Sequence, residues 1–418
     1  MSEARPFPLL SDFVGVVYLP APGFERKLSI GWSRLDFPWD EIEPQKGVWR
    51  WEKFDMLVLE AHWRGLEILP ILCYTARWAA TSLGPFGPPR SVKDWEEYVE
   101  RVVSRYSKPP FYLRYFQVWN EPTRKAGFWK GRTEEEWVDK IFIPAARIIR
   151  RHKCFVVFGG WPCSDGLDKL DRILTYRECW RLTDIIDIHY YEMRSWQRIY
   201  DRWIAPGFCK GIWQTEIGFL TFPNYLPNAY LRGLYWALKH RWDFPEKYKL
   251  FWFAFWGAGK DAPKCLTYIE PGKKLSLSEH GKRLSVMAEL LGGGRLRPFD
   301  RFSLDIPLEF TLHEEKPTAM GFEVEGRRVV VALILPPDVV RSRRRLILRL
   351  KPKGPVSGAM LVSADGSRRL PLRFERSGEI LQVGLPVKEI PPQLARHYGR
   401  KVEFAICYVV LDKEEKKS

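Results

Sequence analysis

The sequence predicts an α/β protein, a (β/α)8 TIM barrel followed by a small antiparallel β-sandwich. Up to about residue 290, short apolar and aromatic-rich runs alternate with amphipathic stretches of helical length, as repeated β-α units around a parallel sheet require. After Arg295 that rhythm gives way to period-two alternation broken by turn signals. The 418 residues also exceed the roughly 250 that one barrel uses, so a large unit and a smaller one are expected.

Taken in order, the strand candidates are 13–19, 33–37, 67–74, 115–119, 155–161, 185–191, 211–216 and 250–256. Several are apolar almost throughout, as strands buried on both faces are. Helical stretches lie between them at 51–63, 91–106, 133–151, 167–181 and 230–241, and a last one at 278–290 stops at Gly292-Gly293-Gly294. The first crossover, between Pro20 and Trp32, is too short for a full helix. Beyond the barrel, 321–330 reads as a hairpin about Glu325-Gly326. The division expected is therefore a barrel over 1–294, a sandwich over 295–412, and a disordered charged tail over 413–418.

Apolar residues make up 45% and charged residues 28%, which excludes a disordered chain. No signal-peptide pattern and no membrane-length apolar run stand out, so a cytoplasmic protein without a membrane partner is expected. Cys73, Cys154, Cys163, Cys179, Cys209, Cys265 and Cys407 form no Cys-x-x-Cys pair and read as buried thiols. Neither a metal nor another cofactor is expected. The formal charge of +16 admits nucleic acid, an anionic membrane surface or an acidic substrate. The basic residues are dispersed, however, and the densest run, 342–349, ends like an exposed strand, so a solvated surface is expected rather than nucleic-acid binding.

In a parallel barrel the C-terminal strand ends share one face, and polar residues there converge although distant in sequence. The fourth strand candidate ends in Trp119-Asn120-Glu121-Pro122, and the seventh in Trp213-Gln214-Thr215-Glu216-Ile217-Gly218. Two carboxyl groups facing each other across a cleft are what glycoside hydrolysis requires; about 5–5.5 Å between them permits direct attack and retention, and about 6.5–9.5 Å leaves room for a water and gives inversion. Each motif has a plainer alternative. Asn120 and Pro122 would also suit a helix start, Glu216 an ion pair, His189 a satisfied core position, and most of the tryptophans packing. Their coincidence at successive strand ends favours a site.

Together these residues resemble clan A of the glycoside hydrolases. The resemblance extends to Arg34 at the end of the second strand, followed by Asp36-Phe37-Pro38-Trp39, Ile42-Glu43-Pro44 and Lys46-Gly47-Val48-Trp49-Arg50-Trp51. It also takes in His189 and Tyr191 on the sixth strand and Trp256 ending the eighth. Residues 34–55 and the Tyr74…Trp78-Ala79 segment are most similar to family 39, the β-xylosidases and α-L-iduronidases, with the family 42 β-galactosidases next. The resemblance implies a retaining enzyme acting on a carbohydrate. In it Glu121 protonates the glycosidic oxygen and later deprotonates water, while Glu216 forms the covalent glycosyl intermediate. It further implies that Asn120 binds a sugar hydroxyl, that Arg34 and Tyr191 hold Glu216 ionised within a network including His189, and that Trp256 and Trp78 form the floor and wall of the sugar site. Glu43 belongs to a segment that looks structural. The rival from another class is a catalytically silent carbohydrate-binding barrel, and the presence of both glutamates argues against it. The abundant charge would serve a uronic or sulfated sugar, or mark a thermophilic origin.

Overall fold

A computed structural model describes residues 7–218, 222–257, 259–269, 274–342, 345–397 and 400–414. Eight parallel strands form the barrel: β1 Val14–Val17, β2 Trp32–Pro38, β3 Glu67–Cys73, β4 Tyr115–Val118, β5 Phe155–Val157, β6 Ile185–His189, β7 Gly211–Ile217 and β8 Tyr248–Trp252. Each pairs with its neighbour in the chain. The ring closes where Gly15 of β1 lies opposite Phe251 of β8 and where Val157 of β5 meets Ile185 of β6. Trp32, Leu69, Tyr115, Val157, Ile185, Trp213 and Phe251 pack together as one layer of a filled core. All eight expected strands are present. The last runs over 248–252 rather than 250–256, so Trp256 does not end β8 and lies in the loop beyond it.

The crossover helices follow the apolar spacing. In Val92–Tyr106 the buried Trp95, Tyr98, Val99, Val102, Val103 and Tyr106 recur at intervals that put them on one face. The stretch expected as one helix over 133–151 is instead three pieces: Glu134–Trp137, capped by Thr133, a π turn Val138–Phe142, and Ile143–Arg151. Pro144 explains the interruption, because it has no N–H to continue the α ladder. The first crossover holds only the single turn Phe24–Lys27, as its length required.

From Leu296 onward two antiparallel sheets stack face to face. Arg328–Leu335 lies inside the larger sheet, between Thr318–Val324 and Arg400–Lys413. Its Val329, Val331, Leu333 and Leu335 face Leu346, Leu348, Leu381 and Val383 of the smaller sheet, while Val330, Ala332 and Ile334 join the barrel's core. Burial on both faces accounts for the unbroken apolar run of this strand. The barrel helix beneath, Tyr225–Lys239, is buried from Tyr225 through Leu238. The hairpin turns at Glu325-Gly326 as expected, with Gly326 at φ 71°.

Order reaches past the expected start of the tail: Lys413 ends the last strand and its Nζ donates to Glu323 Oε1 at 2.6 Å. Residues 415–418 lie outside the described residues, as do Arg343 and Arg344 of the basic run. All seven cysteines are free thiols, and only Cys163 is not fully buried. Among the described residues no helix is long and apolar enough to cross a membrane.

Candidate active site

Arg34 organises the C-terminal mouth of the barrel. It is 2% exposed, and each arm of its guanidinium is committed: Nε donates to Gln117 Oε1 (2.8 Å), Nη1 to Glu216 Oε1 (2.7 Å) and Nη2 to Asn120 Oδ1 (2.6 Å). The planar fork therefore fixes one side chain from each of two strand ends and the turn after β4. Because the oxygen of Asn120 accepts from Arg34, its Nδ2 is the donor end of the amide, with the Tyr74 hydroxyl in hydrogen-bond reach.

The backbone carrying Asn120 and Glu121 is held in an unusual shape. Trp119 and Glu121 both have left-handed φ, 69° and 45°, a conformation that costs about 1–3 kcal/mol per non-glycine residue and clusters at functional sites. Trp119 N–H donates to Leu72 O (2.9 Å) and Glu121 N–H to Gly159 O (2.8 Å), which pin the turn to β3 and to the segment after β5. No helix starts at Pro122; the next one begins at Glu134. The capping alternative for Asn120 therefore fails, and the strained turn aims Glu121 inward.

On the facing side β7 carries a bulge. Ile188 pairs with Gln214 but His189 pairs with Glu216, so Thr215 is an extra residue. A bulge re-aims side chains, and here both Thr215 and Glu216 reach His189. Thr215 Oγ1 donates to Asp187 Oδ2 (2.7 Å) and lies 3.0 Å from His189 Nε2. With Asp187 ionised, that hydroxyl is spent as a donor, so Nε2 must carry a proton and donate to it. The other ring nitrogen, Nδ1, is 3.0 Å from Glu121 Oε1 and 3.6 Å from Glu216 Oε1. The Nδ1–Glu121 contact then holds one proton, on the ring or on the carboxyl, beside an accessible carboxylate. Gly160 is required behind the ring: it has φ 61°, and a Cβ there would stand 2.4 Å from His189 Nε2.

Electrostatics separate the roles. Burial raises the Glu216 carboxyl, but the charges of His189 and Arg34 and hydrogen bonds from Tyr190 and Arg34 outweigh it and hold the group below its ordinary value. Burial depresses His189, and Glu216, Glu121 and Asp187 overcome that and raise it. Burial likewise pushes Asp187 up to about 6, against the pull of His189 and Arg34.

The tyrosine on Glu216 is not the expected one. Strand alternation places Asp187, His189 and Tyr191 on one face, but β6 ends at His189 and Tyr190 turns left-handed at φ 58°. Tyr190 Oη therefore donates to Glu216 Oε2 (2.8 Å), whereas Tyr191 Oη donates to Pro162 O (3.2 Å).

Two aromatics were expected at the sugar site. Trp256 is 54% exposed, with its ring 5.2 Å from that of Tyr18 at the end of β1. It offers an open platform. Trp78 is tied to the loop after β2, where its Nε1 donates to Glu43 O (2.8 Å) and its ring stands edge-on to Trp39. The structure does not join it to the carboxylate cluster. Glu43 is structural, accepting from Trp39 Nε1 and Gly47 N at 2.7 Å each. Asp36, in the Asp36-Phe37-Pro38-Trp39 motif, shares the strand face of Arg34 and is exposed. Withdrawal from bulk water raises its carboxyl, with the charge of Glu216 adding and that of Arg34 opposing.

Glu121, His189 and Glu216 are also the one close group of metal-type donors among the described residues, with donor atoms within 4.8 Å of one another. Their donor atoms are already engaged: Arg34 and Tyr190 occupy the two oxygens of Glu216, and His189 faces Glu121. A cation would have to displace Arg34, so the arrangement is that of a proton network. A cavity of about 380 Å³ at the opposite end of the barrel, lined by Asp12, Trp32, Tyr115, Glu246 and Lys249 among others, contains none of these three residues.

With this geometry in view, similarities to known proteins are specific. Residues 73–198 match the family described as Glycosyl hydrolases family 39. A β-xylosidase from Caldicellulosiruptor saccharolyticus is 36% identical over 81 residues, which is 18% of this chain and 16% of that protein's length. Among solved structures, a family 39 glycoside hydrolase from Bacteroides cellulosilyticus WH2 superposes with a TM-score of 0.62 at 14% identity, covering 97% of this chain and 81% of that one. A family 30 endoxylanase from Clostridium papyrosolvens C71 superposes with a TM-score of 0.59 at 12% identity, covering 98% of both chains. The fold is one that glycoside hydrolases of clan A also have, and the family match covers residues 73–198. Within that clan the chain is most like family 39.

Proposed function

We propose that the protein is a retaining glycoside hydrolase, with Glu216 as nucleophile and Glu121 as acid/base. The observation that carries the reading is the approach of carboxylate oxygens of Glu121 and Glu216 to within 4.8 Å of each other. So close an approach of one oxygen from each favours the shorter carboxyl separation of retention, about 5–5.5 Å, over the about 6.5–9.5 Å of inversion. Glu216, ionised and held by Arg34 and Tyr190, attacks the anomeric carbon as the bond to the leaving oxygen breaks and Glu121 delivers its proton there. In the second step Glu121 takes a proton from water, the water oxygen attacks the same carbon, and the ester to Glu216 opens. Asn120 donates from Nδ2 to a sugar hydroxyl, and Trp256 supplies the stacking platform.

Residues 1–294 form the catalytic unit in this reading and 295–412 the accessory one. A carbohydrate is the partner. Glu121, Glu216 and Asp36 line the cleft while Arg34 is already paired, so a neutral sugar suits it better than a uronide. Xylosides head the candidates because the matched relative is a β-xylosidase. Ion-pair networks such as Asp171 with Arg198 (2.9 Å) and Arg202 (3.2 Å) support a heat-stable protein.

The test is turnover of a panel of aryl glycosides (xylose, glucose, galactose, mannose, fucose, arabinose and the uronic acids) by wild type and Glu216→Gln, with the anomer first released followed by NMR. Activity with retained configuration, lost in Glu216→Gln, is expected. Released sugar of inverted configuration would refute the double displacement. Binding without turnover of any glycoside or oligosaccharide would make the protein a carbohydrate-binding barrel.

A further inference from the structure

The turn that presents Tyr190 is held from outside the barrel. Met193 donates its backbone N–H to Glu314 Oε1 at 2.9 Å, and Glu314 is 2% exposed. Glu314 lies in the connection between Phe302–Leu304 and Thr318–Val324, in the β-sandwich. That connection is fastened in turn to the barrel helix Tyr225–Lys239. Asn228 Nδ2 donates to Glu314 O (2.9 Å), and the fully buried Arg232 donates to Asn228 Oδ1 (2.7 Å), to Thr311 O and to Lys316 O (2.5 Å). Most of these bonds end on main-chain carbonyls, so they fix the path of the backbone rather than merely covering it. At the other end of the turn, Tyr190 N–H donates to Glu216 O (2.9 Å) and its hydroxyl to Glu216 Oε2 (2.8 Å). A short turn therefore spans from the nucleophile to Glu314.

A carboxyl group is a poor choice for filling buried space. Burial pushes Glu314 up to about 7, and a well-packed apolar side chain would avoid that desolvation. What an apolar residue would not supply is an acceptor for Met193 N–H.

We propose that Glu314 is a positioning residue which, by fixing the Tyr190–Met193 turn from the β-sandwich, keeps the Tyr190 hydroxyl on the nucleophile. The inference rests on the assignment of Glu216 given above. It makes the sandwich a working part of the site, because the nucleophile's hydrogen-bond donor is registered against it.

The experiment compares Glu314→Leu, Glu314→Gln, Tyr190→Phe and the Tyr190→Phe/Glu314→Leu pair on the best glycoside, reading kcat, KM and the acid limb of kcat/KM. Glu314→Leu should lower kcat/KM by roughly three- to tenfold, the effect of one misplaced hydrogen bond, and move the acid limb to higher pH. Glu314→Gln keeps an acceptor oxygen and should restore both. Because Glu314 acts through Tyr190, the double variant should be no worse than Tyr190→Phe alone. An unmoved acid limb in a folded Glu314→Leu, or losses that multiply in the double variant, would overturn the proposal. If Glu314→Leu does not fold, Asn228→Ala loosens the same connection and leaves the carboxylate in place; a shift of the acid limb supports the proposal and an unmoved limb overturns it. If wild type turns over no glycoside, the functional reading fails separately. Amide hydrogen exchange then tests the clamp alone: lost protection at Met193 in Glu314→Leu supports it, and unchanged protection overturns it.

Discussion

Tyr190→Phe removes a single hydroxyl, the one that donates to Glu216 Oε2 at 2.8 Å, and leaves the ring in place. A hydrogen bond to a charged group contributes about 1.5–3 kcal/mol, and each pK unit corresponds to about 1.36 kcal/mol. The Glu216 carboxyl should therefore rise in the variant, with Arg34 and His189 still holding it down. The sign follows from the chemistry: the nucleophile works ionised, so raising its pKa moves the acid limb of kcat/KM to higher pH. Well above that limb the carboxylate is ionised in both proteins and the rates should differ far less. The assay is kcat/KM on an aryl glycoside across the acid and neutral range, with Tyr191→Phe as control, since the Tyr191 hydroxyl is spent on Pro162 O. A uniform loss at all pH values with the limb unmoved would refute the reasoning, as would an equal limb shift in Tyr191→Phe.

Trp256→Ala should raise KM with a smaller change in kcat, because the exposed ring offers binding surface rather than reacting groups; an unchanged KM would remove it from the sugar site. Gly160→Ala should lower kcat by at least about tenfold, since the added methyl would sit 2.4 Å from His189 Nε2 and one such displacement costs on the order of 1–3 kcal/mol; full activity would show that the ring position is not critical. Asp36→Asn should improve the relative turnover of uronides over neutral sugars, by removing one negative charge from the cleft; an unchanged ratio in the glycoside panel would count against that account. Lys249→Met should stabilise the protein near pH 7. Burial pushes the Lys249 amine down to about 7, below its unfolded value of about 10.4, so from about pH 7 to 10 the unfolded state binds more protons and wild-type stability rises with pH. Melting curves should show the advantage of the methionine variant shrinking as pH rises through that window, and a constant advantage would contradict the assignment.

The barrel was legible because parallel strands buried on both faces must be apolar, and eight such runs recur at crossover spacing. The proposed catalytic pair was legible for a topological reason, since any barrel of this kind brings residues 121 and 216 to the same mouth. What escaped the sequence were departures from regular geometry. The family resemblance implied Tyr191 as the partner of Glu216, and the left-handed turn at Tyr190 brings the Tyr190 hydroxyl there instead. The bulge at Thr215 has no signature in Gln214-Thr215-Glu216-Ile217, so neither Thr215 nor its partner Asp187 was singled out. Gln117 was hidden as one polar residue within a buried strand. Glu314 had no local signal at all, because its role exists only once the sandwich is folded onto the barrel. Pro144 was visible, but its consequence, a π turn rather than a helix end, depends on packing against the barrel.

The overall charge of +16 and the chemistry of the cleft point in opposite directions, and distance decides between them. Charges on the surface are screened over about 8–10 Å at ordinary ionic strength, whereas groups inside the mouth of the barrel interact through a less polar medium. Among the described residues, His189 and Arg34 bring positive charge to the proposed reacting carboxylates; the His189 ring faces Glu121 and Thr215, and the Arg34 guanidinium is used up on Gln117, Glu216 and Asn120. Its positive charge therefore serves to keep Glu216 ionised and is not free to attract an anionic substrate. Among the described residues, the carboxyl groups of Glu121, Glu216 and Asp36 add negative charge there. A basic protein can thus present a site suited to neutral sugars, and the same buried pairing that holds Glu216 below its ordinary value also engages the guanidinium that would otherwise have recruited an acidic ligand.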